Sequence, residues 1–333
     1  YQHIELKDAD DLSKVEIKNG VSYIIVDSKK GIDITKIRTF IESLLSDIKV
    51  IFCSEEQIFD DDVSIFALPP IGLREYLEHE VGNIVISDLL QGSDDIVRLN
   101  KFRDIYIKYG GYPEHLFSQE SIKEDFERKK SIVYQELFEK EHSVFEAYLR
   151  TIAMSIGGMF KADQVAKLLN ISRRKVNKYT DLVLKHDIMK SVNPWVEDTQ
   201  TETSRHIKLY FSDFSYPKAI LGEIHGEGAL KQGAVENLIF LELTRKLSPN
   251  HTIYFYRKKS GAEISFIIED EENTLLTPIE VTTRSSDVIP QVLRIFDEEY
   301  NNRVERYMIF NDSKGGRLSL NDKQVMILPH VGI

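Results

Sequence analysis

Val21-Ser-Tyr-Ile-Ile-Val26, closed by Asp27, is a near-continuous apolar run too short for a helix. Such a run reads as a strand buried on both faces, the kind found in parallel sheets. The residues after Asp27 carry the same pattern onward. Ile34, Ile37, Phe40, Ile41, Leu44 and Leu45 recur at helical spacing, and Lys49-Val-Ile-Phe-Cys53 is another buried strand. Strand, helix, strand in this order predicts a parallel sheet with crossover helices, hence an α/β protein. Upstream, Tyr1 to Leu6 reads as a strand, and with no methionine or leader before it the chain does not read as a natural start. Downstream, Asp60, Asp61 and Asp62 mark an exposed loop. Residues 73–80 and 95–109 read as helices that stop at Gly110-Gly111 and Pro113.

The chain has 333 residues, which predicts two or three domains. Hydrophobic content of 42% and charged content of 29% fit a folded protein and argue against disorder. Its apolar runs are too short to span a bilayer. The single cysteine, Cys53, cannot pair within the chain, so a reducing, cytoplasmic setting without membrane partners is the expectation. A net charge of −11 disfavours indiscriminate nucleic-acid binding. The charge is uneven, however: residues 161–190 carry 8 bases against 3 acids.

That basic stretch comes after long Glu- and Lys-rich helices over 119–156 and a break at Gly157-Gly158. Lys161 to Asn170 reads as a short helix, Ser172 as a cap, and Arg173 to His186 as a second helix. Val165, Leu168, Leu169, Val176, Tyr179 and Val183 can share a small core. This is helix-turn-helix spacing, and the alternating strand His206 to Phe211 would be a wing. Arg173, Arg174, Lys175, Asn177 and Lys178 then fall on or near the first turn of the second helix, where positive side chains meet phosphates and base edges of duplex DNA. The alternative reading is that this winged-helix module only packs between its neighbours. Trp195 to Arg205 reads as a polar loop, and Gly222 to Gly233 as a junction.

From Ala234 onward the order is helix (234–247), strands (252–257, 262–269, 275–282), helix (287–301) and strand (304–310), a second α/β domain. Glu236, then Gly261-Ala-Glu-Ile-Ser-Phe266, then Pro278-Ile-Glu-Val-Thr282 stand in order within it. Alternation along strands puts Glu263 with Ser265 on one face and Glu280 with Thr282 on one face. A metal-dependent nuclease needs carboxylates that converge on a divalent ion and a nearby lysine. Glu236, Glu263 and Glu280 are the candidate metal ligands, and the same acids are equally compatible with solvated positions on ordinary strands.

These residues resemble the restriction-endonuclease-like, PD-(D/E)XK domain at the end of a large prokaryotic family of AAA-type ATPases. Members typically read Gly-x-Glu-Val-Asp-Phe, then Pro-Ile-Glu-Val-Lys. Ser265 stands where they carry the aspartate and Thr282 where they carry the lysine; Lys258 or Lys259 are the candidate replacements. The N-terminal part resembles the same family. Tyr23-Ile-Ile-Val-Asp27-Ser28 stands at the Walker B strand, Cys53-Ser54-Glu55 at a strand end, Leu68 to Glu75 at a Pro-Leu-Ser-Phe-x-Glu motif, and Gly110-Gly-Tyr-Pro-Glu114 at Gly-Gly-Phe-Pro-Glu.

The resemblance implies ATP and magnesium as cofactors, with Asp27 as the magnesium partner. The Gly-rich phosphate loop would lie upstream of Tyr1. Ser28 replaces the water-positioning glutamate, and Lys29 and Lys30 replace apolar or neutral residues, so tight ATP binding by this chain is not expected. The expected architecture is a partial AAA-type domain (1–118), a helical and winged-helix region (119–222) and a restriction-endonuclease-like domain (223–333). The expected function is that of a catalytically degenerate adaptor or regulator that binds nucleic acid or protein. The alternative is an active ATP-dependent switch or metal-dependent nuclease.

Overall fold

The structure is a computed structural model that describes residues 2–6, 23–28, 34–44, 48–54, 69–82, 93–118, 122–197, 206–222, 229–284, 287–312 and 315–333. Lys29, Lys30, the Asp60–Asp62 loop and most of the Trp195–Arg205 loop lie outside them. The protein is a mixed α/β chain that divides into two compact units, Tyr1–Pro69 and Pro70–Ile333.

In the first unit, strands β1 (Gln2–Leu6), β2 (Tyr23–Ser28) and β3 (Lys49–Ser54) form a parallel sheet in the order β1-β2-β3. The helix α1 (Ile34–Glu42) connects β2 to β3. Ile24 and Val26 are fully buried on the central strand, as the apolar run predicts, and Phe40 packs from the helix, whereas Ile41 is left exposed. Asp27 pairs in register with Glu5 and Cys53, near the C-terminal end of β2.

The second unit is organised by one nine-stranded sheet. In sequence, its strands are β4 (Met159–Phe160), β5 (Met189–Pro194), β6 (Ile207–Phe211), β7 (His251–Arg257), β8 (Glu263–Asp270), β9 (Leu275–Val281), β10 (Tyr307–Asn311), β11 (Gly316–Leu320) and β12 (Lys323–Pro329). Their spatial order is β11-β12-β10-β9-β8-β7-β5-β6-β4. Both faces of its central strands are covered. Phe255, Phe266, Ile279, Phe310 and Leu328 pack with Val235, Leu238 and Ile239 of the helix Ala229–Lys246 and with Leu73, Leu77 and Tyr106. On the other face Tyr256, Ile267, Ile309 and Ile327 pack with Leu293 and Phe296 of the helix Gln291–Tyr300. Two covered faces require apolar residues at successive positions, which is why these strands do not alternate cleanly.

The helices Leu73–Val81, Ser93–Tyr109 and Pro113–Ser118 thus pack in the second unit. Their anchor is Asp213, fully shielded after β6, whose Oδ2 accepts from the Gly111 amide at 2.8 Å and whose Oδ1 accepts from the Ser215 amide at 2.8 Å. Gly110 has φ +82°, and a Cβ there would lie 2.1 Å from Asp213 Oδ1. Only glycine fits that turn.

A separate core joins the helices Ile122–Gln135 and His142–Ala153 to the pair Ala162–Leu169 and Arg173–Lys185. Phe145, Tyr148, Val176, Tyr179 and Val183 are fully buried there, while Leu168 is exposed. The turn between the paired helices is made by Asn170 in the left-handed region, φ 53°, and by Ser172, whose hydroxyl accepts from the Lys175 amide at 3.2 Å. The strands β4, β6 and β5 flank this pair as an antiparallel sheet. β5 then pairs in parallel with β7, Asn193 against Tyr254 and Pro194 against Phe255, so this sheet is continuous with the C-terminal one. Trp195, read from the sequence as part of a polar loop, is buried against Phe296 and Tyr300. The hairpin β11–β12 is an element the sequence reading leaves out.

Candidate functional site

The helix Ala229–Lys246 sits unusually close to the loop before β4: a Cβ at Gly233 would lie 2.1 Å from the Ile156 carbonyl oxygen. One turn later the helix presents Glu236 and Asn237 to β6. Asn237 is fully buried; its Oδ1 accepts from the Phe211 amide at 2.7 Å and its Nδ2 donates to the Phe211 carbonyl at 3.0 Å. It stands in for a neighbouring strand at the end of β6.

Alternation along β6 points Lys208 and Tyr210 the same way, at Glu236. Lys208 is wholly inaccessible, yet its ammonium donates to Glu236 Oε1 at 2.7 Å and lies 2.6 Å from Glu263 Oε1. The Tyr210 hydroxyl donates to the same Glu236 oxygen at 2.5 Å. The second oxygen of Glu263 is held by Arg257 at 2.5 Å. Burial pulls the Lys208 pKa down, but the charges of Glu236 and Glu263 more than reverse this and leave it raised. Burial, then Glu236, pushes Tyr210 well above its ordinary value.

Ser265 and Glu280 complete the cluster. Between β7 and β8 the register shifts, Tyr254 opposite Ile267 but Tyr256 opposite Ile264, so β8 bulges at Ser265. On the other side of β8, where the register with β9 ends at Phe266 opposite Ile279, Ser265 Oγ accepts from the Val281 amide at 3.1 Å. The Ser265 amide in turn donates to Glu280 Oε2 at 3.3 Å. The Glu280 carboxyl is pushed up to about 8, by burial first and by Glu236 and Glu263, against the Ser265 hydrogen bond and Lys208. At neutral pH it therefore largely keeps its proton, and two carboxylates face two cations.

These residues do not fit a resident metal. The point where Glu236 and Glu263 converge is filled by the Lys208 ammonium, and the Ser265 hydroxyl is committed to a backbone amide. Among the described residues no three carboxylate, histidine or cysteine side chains stand together as a metal site. Thr282 closes the end of β9: its amide donates to the Phe310 carbonyl at 2.9 Å and its hydroxyl accepts from the Arg284 amide at 3.1 Å. Lys258 is paired with Glu299 and exposed Lys259 lies on the neighbouring turn, so neither replaces a lysine at the cluster. The lysine that reaches it, Lys208, is one that sequence reasoning placed on the wing. Its one local signal is a lysine inside the otherwise apolar run Ile207-Lys-Leu-Tyr-Phe211.

The sign of the Glu280 shift sets a pH dependence. Its folded pKa is raised from about 4.5 to about 8, so the folded state holds more protons than the unfolded one between those values. Stability is then greatest below about pH 4.5 on this account and falls as pH rises through 8. Thermal unfolding of Glu280→Gln, compared with wild type from pH 5 to 9, is expected to show a flatter pH profile. Parallel profiles would contradict the assignment.

The second candidate site is the face of the helix Arg173–Lys185. Arg173, Arg174, Asn177 and Lys178 are exposed and Lys175 partly so. Lys175 Nζ is 2.9 Å from Glu141 Oε1, Lys178 Nζ 3.3 Å from Glu141 Oε2, and Arg173 3.3 Å from Asp163. The sequence reading brings the basic residues together correctly but leaves out their acidic partners, which come from residues more than thirty positions upstream in the case of Glu141.

Residues 231–330 match a family described as "Domain of unknown function (DUF4143)", and residues 99–223 one described as "Domain of unknown function (DUF8612)". The chain is similar to the uncharacterized protein MJ1544 of Methanocaldococcus jannaschii, a distant relative at 24% identity over 274 residues, 78% of this chain. The aligned part spans 60% of that relative's length. Among solved structures, protein VC1899 from Vibrio cholerae aligns at 10% identity over 98% of this chain and 93% of that one, with a TM-score of 0.20. Can2 from Sulfobacillus thermosulfidooxidans, in complex with cyclic tetra-adenylate, aligns at 11% identity over 98% and 94%, with a TM-score of 0.19. Likeness at that level carries nothing about the fold or ligands of this chain. Among the described residues, no helix is long and apolar enough to cross a membrane.

Proposed function

We propose that this chain is a diverged relative of the AAA-type ATPase family that works without catalysis. On this reading its nuclease-like domain is a rigid support, and its helix-turn-helix unit is a docking face for duplex nucleic acid. The observation that carries the reading is the Lys208 ammonium seated between Glu236 and Glu263. A nuclease of this kind uses such carboxylates to hold a cation that activates water and stabilises charge on the scissile phosphate. Here a cation of the chain itself takes that place, and it comes from the strand beside the helix-turn-helix unit. The former metal position has become a buried ion-pair joint between the two regions. The parallel β1-β2-β3 sheet, with Asp27 near the end of its central strand, is in keeping with the partial ATPase domain.

The chain is expected to leave plasmid and single-stranded DNA intact in magnesium or manganese. Ser265→Asp with Thr282→Lys restores the missing residue types but leaves Lys208 in place, so this double variant is expected to stay inactive. Manganese-dependent cleavage by wild type that disappears in Glu280→Ala would refute the proposal.

A further inference from the structure

Between the helices Ile122–Gln135 and His142–Ala153 the chain makes an elbow, residues 136–141, which lies beside the basic face of the helix Arg173–Lys185. An open groove of about 1020 Å³ runs along that face, lined among others by Arg174, Lys175, Lys178, Lys185 and by Glu136 of the elbow. The elbow contributes two acids to the helix. Glu141, nearly inaccessible, takes Lys175 on one oxygen at 2.9 Å and Lys178 on the other at 3.3 Å, and also faces the Phe138 amide at 3.3 Å. Glu136 takes Lys185 at 2.9 Å and His186 at 2.6 Å. The hydrogen bond from Lys175 is the largest cause that holds Glu141 down at about 2, so it is ionised at any ordinary pH.

Two ammonium groups and an amide converging on one carboxylate is a cradle for a singly bridging oxyanion. A phosphate presents the same charge and the same pair of acceptor oxygens. With Asp163 on Arg173, four of the five cations from Arg173 to Lys185 have an internal acidic partner. Arg174 has no ion pair among the described residues. Counting Asp163 and the groove-lining Asp181 with the two elbow acids, the five cations leave the face that the proposed docking function needs with a net charge of about +1 while the elbow is in place, and about +3 when the elbow acids are removed.

Resting on that docking reading, we infer that Glu136 and Glu141 are an internal competitor for the DNA backbone. They occupy the phosphate positions at Lys175, Lys178 and Lys185, and displacement of the elbow switches the helix to duplex binding. Binding of each phosphate would then exchange a carboxylate for a phosphate rather than fill an empty position, which keeps the resting affinity low.

The test is fluorescence anisotropy of a labelled 20-base-pair duplex with the full chain, over a range of salt concentrations. Glu141→Gln and Glu136→Gln keep the shape and the acceptor for the Phe138 amide while removing charge. The double variant is expected to bind about tenfold or more tightly than wild type at low salt. Its affinity should also fall more steeply with salt, by about 0.9 in logarithmic slope for each lysine released to a phosphate. The gain should vanish when Lys175→Gln, Lys178→Gln and Lys185→Gln are added. If Glu141→Gln does not fold, Glu136→Gln alone should give a smaller gain that Lys185→Gln removes. Unchanged duplex affinity in folded variants overturns the competitor, and so does a gain that survives loss of the lysines. A gain for an acidic peptide without one for duplex overturns the choice of partner. Cleavage of the duplex by wild type would instead sink the non-catalytic reading and leave the competitor standing.

Discussion

Lys208→Met is expected to lower the thermal midpoint of the second unit by roughly 10 °C, the equivalent of about 3–5 kcal/mol. The lysine is fully buried and is shared between Glu236 and Glu263, with Arg257 as the second cation on Glu263. Removing the lysine strands the buried Glu236 without a counter-charge, while Glu263 keeps Arg257, and leaving a buried charge unpaired costs far more than the pair itself contributes. The methionine fills nearly the same volume, so packing loss is small and the effect reports the charge. Adding Glu236→Gln and Glu263→Gln to Lys208→Met should recover more than half of the loss, because a neutral cluster needs no counter-ion. Thermal and urea unfolding of the three proteins decide the matter. A single variant as stable as wild type would show that the cluster is hydrated and exchangeable, and the view of it as a closed joint would fail.

Gly233→Ala is expected to destabilise by about 3 kcal/mol, opposite in sign to the usual effect. At a solvent-facing helical position alanine is favoured over glycine by about 1 kcal/mol. At Gly233 the added methyl would stand 2.1 Å from the Ile156 carbonyl oxygen and 2.9 Å from its carbon, and a backbone carbonyl cannot rotate away as a side chain can. The helix must lift from the loop at 155–158, and Glu236, three residues on, moves with it. The variant should therefore lose the Lys208 pairing as well, and Gly233→Val should be worse. A midpoint equal to or above that of wild type would mean that the close approach is not present in solution.

Regular alternation is interrupted at one informative place. The register of β8 against β7 shifts between Ile264 and Ile267, and Ser265, which lies within the shift, has a backbone amide as the partner of its hydroxyl. A bulge is set by how one strand meets its neighbours on both sides, so a single strand's own sequence does not reveal it. Glu280 illustrates the same limit: nothing local to Pro278-Ile-Glu-Val distinguishes a solvated glutamate from one pushed up to about 8 by burial and two other acids.

What the sequence determined by itself is the local grammar. The apolar run that ends at Val26 makes the parallel strand Tyr23–Ser28, and the pattern of Ala162–Lys185 makes two helices joined at Asn170 and Ser172. The order Glu236, Glu263, Glu280 predicts acids on a helix and two adjacent strands. Each of these depends on side chains within a few residues of one another, where periodicity and capping chemistry act directly. Only the tertiary structure decided what fills the space between those acids and what covers the basic helix. Lys208 reaches Glu236 and Glu263 because β5 joins the flanking antiparallel sheet to β7, which brings β6 beside the helix Ala229–Lys246. Glu141 reaches Lys175 and Lys178 because the helices on either side of the elbow share a core with the helix-turn-helix pair. Charge pairing acts through space over a few ångströms, whereas the partners are separated by tens of residues along the chain, so their meeting is fixed by packing and not by any motif.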